Sequence, residues 1–338
     1  MSPQSCRGCR VGAGLRRGLV RARSVLGRAA GPALAAVLLA PPAWSAETLS
    51  QEAAADWLQK VSEAPRRLSY EGVFVYRHGE SMQTYQITNR VSAAGKESRL
   101  VALDGSHREV LCTQGGSVSL SSDGGEKRLE RRLSSRHFPD LFPPNAERLN
   151  AWYTVKLGEI TRVAGLDCRE VVLVPKDQYR WGHVLCSEKE TGLPLKAAMV
   201  NERGQPLMQY AFTEVQIGPA ARTAALPRMP AAPALQPIEN GALALKALPP
   251  GYARVIAVKR KLPNRPEDVE HWVFSDGLTH ISLFIEPAAK RVETVKGESQ
   301  RGMVNMLTRQ VGSRQVTVIG EAPWPAVEAI AMSVVERP

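Results

Sequence analysis

From Leu166 to Ile217 the chain alternates apolar and polar residues in short runs separated by turn residues, the pattern of an antiparallel meander. Cys168 to Val174, Tyr179 to Cys186, Leu195 to Val200 and Leu207 to Val215 read as its strands. Within it Leu195, Ala197 and Met199 share one face, as do Met208, Tyr210 and Phe212. Gly192 and Gly204 give the tight connections the backbone freedom they need. Upstream, Tyr70 to Tyr76, Met82 to Val91, Glu97 to Leu103, Arg108 to Thr113, Ser117 to Leu120 and Trp152 to Ile160 also read as strands, whereas Phe138 to Pro144 is apolar but irregular. A sheet of about nine strands with one apolar face curls rather than staying flat. Before it, Thr48 and Gln51 form a capping box, and Ala54, Trp57, Leu58 and Val61 fall at helical spacing until Pro65 stops the run. The expectation is a mainly β, α+β fold: a curved antiparallel half-barrel wrapped around helices.

After this body the alternation ends. Residues 219–245 form a connector whose first part is rich in Pro and Ala, with prolines at 219, 227, 230, 233 and 237; this favours an extended, semi-rigid chain. A smaller mixed α/β body follows from 246 to 338. Tyr252 to Lys259, His271 to Phe274, Thr279 to Ile285 and Gln315 to Gly320 read as strands, and Ser275 to Gly277 as a hairpin turn. A last helix starts at Pro325 with Val327, Ile330, Ala331 and Val334 on one side. Arg301 to Arg309 has an ambiguous pattern that admits a short helix. A three- or four-stranded sheet backed by one or two helices is expected.

Composition changes this picture mainly at the N-terminus. Seven arginines, at 7, 10, 16, 17, 21, 23 and 28, precede an apolar stretch from Ala29 to Ala40, and Ala43 and Ser45 offer small residues before a cleavage point at Ala46. Residues 1–45 therefore read as a signal peptide and the rest as an exported chain, whose half-barrel domain runs over 46–218. The leader holds seven of the positive charges and no acid, so the formal excess of +11 falls to about four without it. So small an excess gives no argument for nucleic acid.

Three cysteines lie beyond the leader, Cys112, Cys168 and Cys186, and an odd number leaves at least one thiol or an intermolecular bond. A hairpin centred on Asp177 would set Cys168 and Cys186 opposite one another, where a cross-strand disulfide can form; a one-residue register change would bury them as separate thiols. No nucleophile elbow, paired metal-ligand histidines or Cys-x-x-Cys survives beyond the leader, so neither a metal nor a cofactor is expected and the chain does not read as an enzyme. His271 and His280 flank one hairpin and could face each other.

Several segments resemble the MucB/RseB family of periplasmic regulators of the envelope-stress sigma factor of the sigma-E and AlgU type. They are Leu68 to Tyr76, Leu103 to Val110, Tyr179-Arg-Trp-Gly182, Glu190-Thr-Gly-Leu-Pro-Leu195, Phe274-Ser-Asp-Gly-Leu-Thr-His-Ile-Ser-Leu-Phe-Ile-Glu286 and Val316 to Glu321. The resemblance implies a LolA-like half-barrel followed by a small regulatory domain. It implies binding to the periplasmic segment of a transmembrane anti-sigma factor of the MucA/RseA kind, protection of that segment from proteolysis, and release by mislocalised lipopolysaccharide or lipoprotein acyl chains. It leaves homo-oligomers open. The chain departs from the family in its long basic leader and in Cys112 and Cys186.

Alternation and resemblance together nominate Val73, Val75, Met199, Met208, Tyr210 and Phe212 as lipid-pocket residues; packing against the Trp57 helix is the competing role for each. His280, Arg301 and Arg309 are the cationic candidates for the partner. The rival function is a periplasmic lipoprotein or lipid carrier of the LolA type, which needs the pocket but not the second body.

Overall fold

The computed structural model describes residues 43–337 except 114–115, 124–125, 134–135, 219–226, 232–234, 239–240, 263–266, 289–296 and 302. The expected signal peptide up to residue 42, and much of the Pro/Ala stretch, lie outside the described residues.

Helix α1 (Ala43–Arg67) buries Ala54, Leu58, Val61 and Ala64, which its 3.6-residue period brings to one side. Pro65 lies inside the last turn instead of ending it. A proline there removes one amide donor, and the turn is held from outside: Asn89 Nδ2 donates to the carbonyl oxygens of Pro65 and Leu68 at 3.2 and 2.7 Å.

The strands that follow are β1 (Tyr70–His78), β2 (Ser81–Ser92), β3 (Gly95–Ala102), β4 (Arg108–Thr113), β5 (Gly116–Asp123) and β6 (Glu126–Arg131). After a 3-10 turn at Ala146–Ala151 come β7 (Tyr153–Val163), β8 (Leu166–Pro175), β9 (Gly182–Glu188), β10 (Pro194–Val200) and β11 (Pro206–Ile217). They form one open antiparallel sheet in the order β6-β5-β4-β3-β2-β1-β11-β10-β9-β8-β7, so the first and last strands pair in its middle. Strand β6 had no apolar alternation to announce it, being charged at every position but Leu129. A register shift between Val73 and Phe74 in the β1–β11 pairing puts Phe74 opposite Phe212 and Tyr76 opposite Tyr210. Gly72, on the same face as Phe74, has no room for a side chain: a Cβ there would lie 2.9 Å from the Phe212 ring and 2.4 Å from the Glu214 carbonyl oxygen.

Cys168 and Cys186 are joined by a disulfide across β8 and β9. The two are diagonal neighbours and not directly opposite, because Cys168 faces Glu188 while Cys186 faces Glu170. The hairpin is thus centred one residue later than expected, and positions two apart still share a face.

The second half holds β12 (Gln236–Pro237), β13 (Leu243–Leu245), β14 (Ala253–Lys261), β15 (Asp268–Ser275), β16 (His280–Pro287), β17 (Gly297–Arg301), β18 (Val304–Val311) and β19 (Arg314–Gly320), then α2 (Trp324–Ser333) and β20 (Val334–Glu336). Its main sheet has seven strands in the order β12-β14-β15-β16-β19-β18-β17, and β13 pairs with β20. The sheet is therefore larger than expected, and the segment from Arg301 to Arg309 holds the end of β17 and most of β18 where a short helix was admitted. Met303, Asn305 and Leu307 are buried with half-buried residues between them, a period of two that fits a pleat and not a helical turn. Val334 belongs to β20, beyond the helix, and is still buried. His271 and His280 do not face each other: His271 pairs with Phe284 and His280 with Ser275.

Residues from Ala43 onward pack as one compact unit, and a single side chain does much to join its halves. Arg180, fully buried, forms an ion pair with the equally buried Asp276 (2.9 Å) and another with Asp177. It also donates to the Pro250 carbonyl and stacks against Trp152 (4.7 Å) and Tyr252 (5.3 Å). Gly251, at φ +80°, lets the backbone reach this cluster; a Cβ would lie 2.5 Å from the guanidinium. Asp276 in turn accepts the amides of Leu278 and Thr279 at 3.0 and 2.8 Å, which shapes the turn before β16. Tyr252 donates its hydroxyl to Tyr179 O (3.0 Å), and Arg136 donates to Gly277 O.

Two measurements check this fold. Arg180→Met leaves Asp276 buried without its cation, so equilibrium urea unfolding is expected to lose on the order of 3–5 kcal/mol. His271 is buried against Phe284 (ring centroids 4.2 Å), and burial, with the nearby Arg260 cation, pushes its pKa down to about 4. The unfolded chain therefore binds this proton first as pH falls. Stability from the neutral ring is complete above pH ~6.5 and is lost as pH drops toward 4. The melting temperature of wild type is expected to fall over that window, and that of His271→Phe to fall less.

Candidate functional site

Both halves line one cleft of about 910 Å³. Its floor is the concave face of the first sheet. Because β1 and β11 pair at the sheet centre, Phe74, Tyr76, Met208 and Tyr210 come together there, with Ala197 and Met199 from β10 alongside. Tyr210 is stacked between Tyr76 (4.7 Å) and Phe138 (5.2 Å), and Phe74 meets Phe138 edge-on at 4.9 Å. These contacts fix the rings in place, since aromatic pairs prefer such offset and edge geometries. Burial raises the phenol of Tyr76 to about 12 and raises that of Tyr210 further, so both remain protonated donors at any physiological pH.

One wall is cationic. The ladder aligns Arg108, Ser121 and Arg128 in a row across β4, β5 and β6, with Val110, Ser119 and Glu130 in the next row. All six line the cleft, as do Arg132, Arg136 and His137. The opposite wall comes from the second half: Leu278 to His280, Ser282, Val304 and Ile319 to Glu321. Burial lowers the pKa of His183 to about 4 and also lowers that of His280, where the Arg136 cation adds to the effect. Near neutral pH the two imidazoles are therefore uncharged and the positive character of the site comes from arginine. An apolar aromatic and methionine floor beside an arginine rim suits an amphiphile with an anionic end.

Met199, Met208 and Tyr210 line this cleft, with Met199 directly opposite Met208. Phe212 lies beneath it, buried against Phe74 and Phe138. Val73 and Val75 do not line it. They alternate with the inward Phe74 and Tyr76 and so belong to the other face of the sheet. The buried stripe Tyr70, Gly72 and Phe74, continued by Tyr76, was the available signal: a glycine among aromatics marks the crowded face. Of the cationic candidates, His280 lines the cleft, whereas Arg309 donates to the Ala331 carbonyl at 3.0 Å near the end of α2 and serves that helix. Arg301 ends β17, and its side chain lies outside the described residues. The arginine wall was missed because its members come from separate strands, and only the register brings them into rows.

Comparison with known proteins covers both halves. The family model of the MucB/RseB N-terminal domain matches residues 53–230, and that of the MucB/RseB C-terminal domain matches residues 238–335. The sigma factor AlgU regulatory protein MucB of Pseudomonas aeruginosa is 32% identical over 307 residues, covering 88% of this chain and 94% of that protein. The sigma-E factor regulatory protein RseB of Escherichia coli is 24% identical over 302 residues, covering 86% and 93%. Among solved structures, the Pseudomonas aeruginosa MucA/MucB complex matches with a TM-score of 0.67 at 30% identity, over 85% of this chain and 99% of that one. MucB in complex with MucA(peri) matches with a TM-score of 0.66 at 31% identity, over 84% and 99%. With both of its halves matched in sequence and its fold matched to MucB, the chain belongs to the MucB/RseB family.

Proposed function

We propose that this chain is a periplasmic regulator that binds the periplasmic segment of a MucA-like anti-sigma factor and shields it from regulated proteolysis. Lipopolysaccharide or lipoprotein acyl chains entering the cleft release it, and the sigma factor is then freed. The observation that carries this reading is the match of both halves, over about 85% of the chain, to MucB, a protein solved together with MucA(peri). Export to the periplasm fits the basic, apolar leader; among the described residues no helix is long and apolar enough to cross a membrane. The role is one of binding and needs no catalytic group.

The physical basis is competition. A ligand shifts the balance between free and anti-sigma-bound protein only by binding the two forms differently. Each methylene transferred from water to the aromatic floor contributes roughly 0.8 kcal/mol, so a few suffice to compete with a moderate protein interface. The arginine rim adds attraction for phosphate or carboxylate. A simple lipid carrier would share the floor, yet here β16, β18 and β19 of the second half supply a wall of the same cleft. That shared wall favours a regulator, in which occupancy is felt by both halves.

Titration of the purified chain from Ala46 onward with the periplasmic segment of its anti-sigma factor is expected to give tight binding that lipopolysaccharide weakens. Arg132→Glu is expected to raise the lipopolysaccharide concentration needed by about tenfold, a change of about 1.4 kcal/mol. Absence of anti-sigma binding at every salt concentration would leave the carrier as the better reading.

A further inference from the structure

We infer that Glu321, with Tyr76 and Tyr210, forms an ammonium subsite in the cleft, so that together with the arginine wall it takes a zwitterionic phospholipid of the phosphatidylethanolamine class. This rests on the reading that the cleft binds an amphiphile, and adds to it a headgroup of two charges. All three residues line the cleft, the tyrosines on its floor and the carboxylate on the opposite wall, just after β19. Tyr76 and Tyr210 are stacked at 4.7 Å, and the Glu321 carboxylate acts on both phenols, raising the pKa of each. It therefore lies near both rings.

The cleft has two acidic residues among its lining, and they differ. Glu130 is met by Arg260 at 3.9 Å. Glu321 has no ion pair or hydrogen bond among the described residues, and its exposed side chain opens into the cleft. The protein around it makes its charge costlier than in bulk water and raises its pKa, an effect offset in part by His78. His78 shares the face of β1 that carries Phe74 and Tyr76, and its own buried Nε2 has no hydrogen-bond partner among the described residues. A carboxylate beside an aromatic floor without a cation is unfavourable in the empty cleft and becomes favourable once a ligand supplies one. The N–H donors of an ammonium match the carboxylate and phenol oxygens found there.

The opposite charge is close by. Arg132 lowers the pKa of the Tyr210 phenol while Glu321 raises it, so both signs are felt at one hydroxyl. A phosphate held by Arg132 and an ammonium held by Glu321 can therefore belong to a single headgroup, with its acyl chains along Phe74, Met199 and Met208. A headgroup that carries phosphate but no amine leaves Glu321 unpaired and is repelled by it. The carboxylate thus selects for an amine among the amphiphiles the cleft admits.

The test is isothermal titration calorimetry of the chain from Ala46 onward with dihexanoyl phosphatidylethanolamine and, separately, dihexanoyl phosphatidylglycerol, both below their micelle concentrations. The chains are identical, so only the headgroup differs. The ethanolamine lipid is expected to bind about tenfold more tightly, the size of one charge-assisted contact. Glu321→Gln, at an exposed side chain, is expected to erase that preference while circular dichroism shows a folded protein. Tyr76→Phe removes a phenol oxygen, keeps the ring and is expected to reduce the preference in part; it serves if the first variant does not fold. Arg132→Glu is expected to weaken both lipids. Equal affinities in wild type, or a preference that survives Glu321→Gln, would overturn the ammonium subsite and leave the cleft an amphiphile site. Binding of neither lipid would overturn the subsite and the reading beneath it. If Glu321→Gln keeps the lipid preference and instead weakens the anti-sigma segment, the carboxylate serves the peptide partner and the assignment fails.

Discussion

The buried guanidinium of Arg180 sets the geometry on which the rest depends. A cation taken wholly out of water is costly unless its charge is balanced. Arg180 achieves this only where residues from both halves converge: Asp177 from its own turn, Asp276 and the Pro250 carbonyl from the second half, with Trp152 and Tyr252 against its faces. Separating the halves would strand the arginine and a carboxylate at once. The same carboxylate organises the turn leading to β16, so the ion pair also sets the position of His280 and Ser282 at the cleft wall.

The cleft follows from that constraint and from the order of the first sheet. Pairing β1 with β11 brings the richest aromatic stretches, seventy to seventy-six and two hundred and eight to two hundred and twelve, side by side. Strands β4 and β5, with the charged strand β6 outside them, extend the sheet to one edge and raise the arginine wall. Apolar floor and charged rim are thus distant in the sequence but adjacent in register. The chemistry fits a ligand with both characters, and the second half makes such a ligand's arrival a matter for the whole unit.

Much of this was legible in the chain. The meander from Leu195 to Val215, the open curved sheet and the first helix could be read because alternation, glycine turns and helical spacing report directly on the backbone period. Met199, Met208 and Tyr210, nominated from alternation together with the family resemblance, lie at the cleft. Val73 and Val75 were chosen from the wrong face: β-branched residues suit a strand equally well on either side, and Gly72 with its crowded neighbours was the better guide. The strand nature of Val304 to Val311 and of charged β6 was hidden, since pairing partners, not local pattern, decide such segments. The Arg180 cluster was invisible as a site. Nothing in a lone arginine announces a partner ninety-six residues away.

The most direct test of the two-sided cleft is amide hydrogen exchange on the full chain with and without lipopolysaccharide. Protection is expected to arise together in β1 and β11 around Phe74 to Tyr76 and Met208 to Tyr210, and in the second half around Ser282, Val304 and Ile319. Protection confined to the first sheet would contradict a cleft shared by both halves and would point to a carrier with an appended domain.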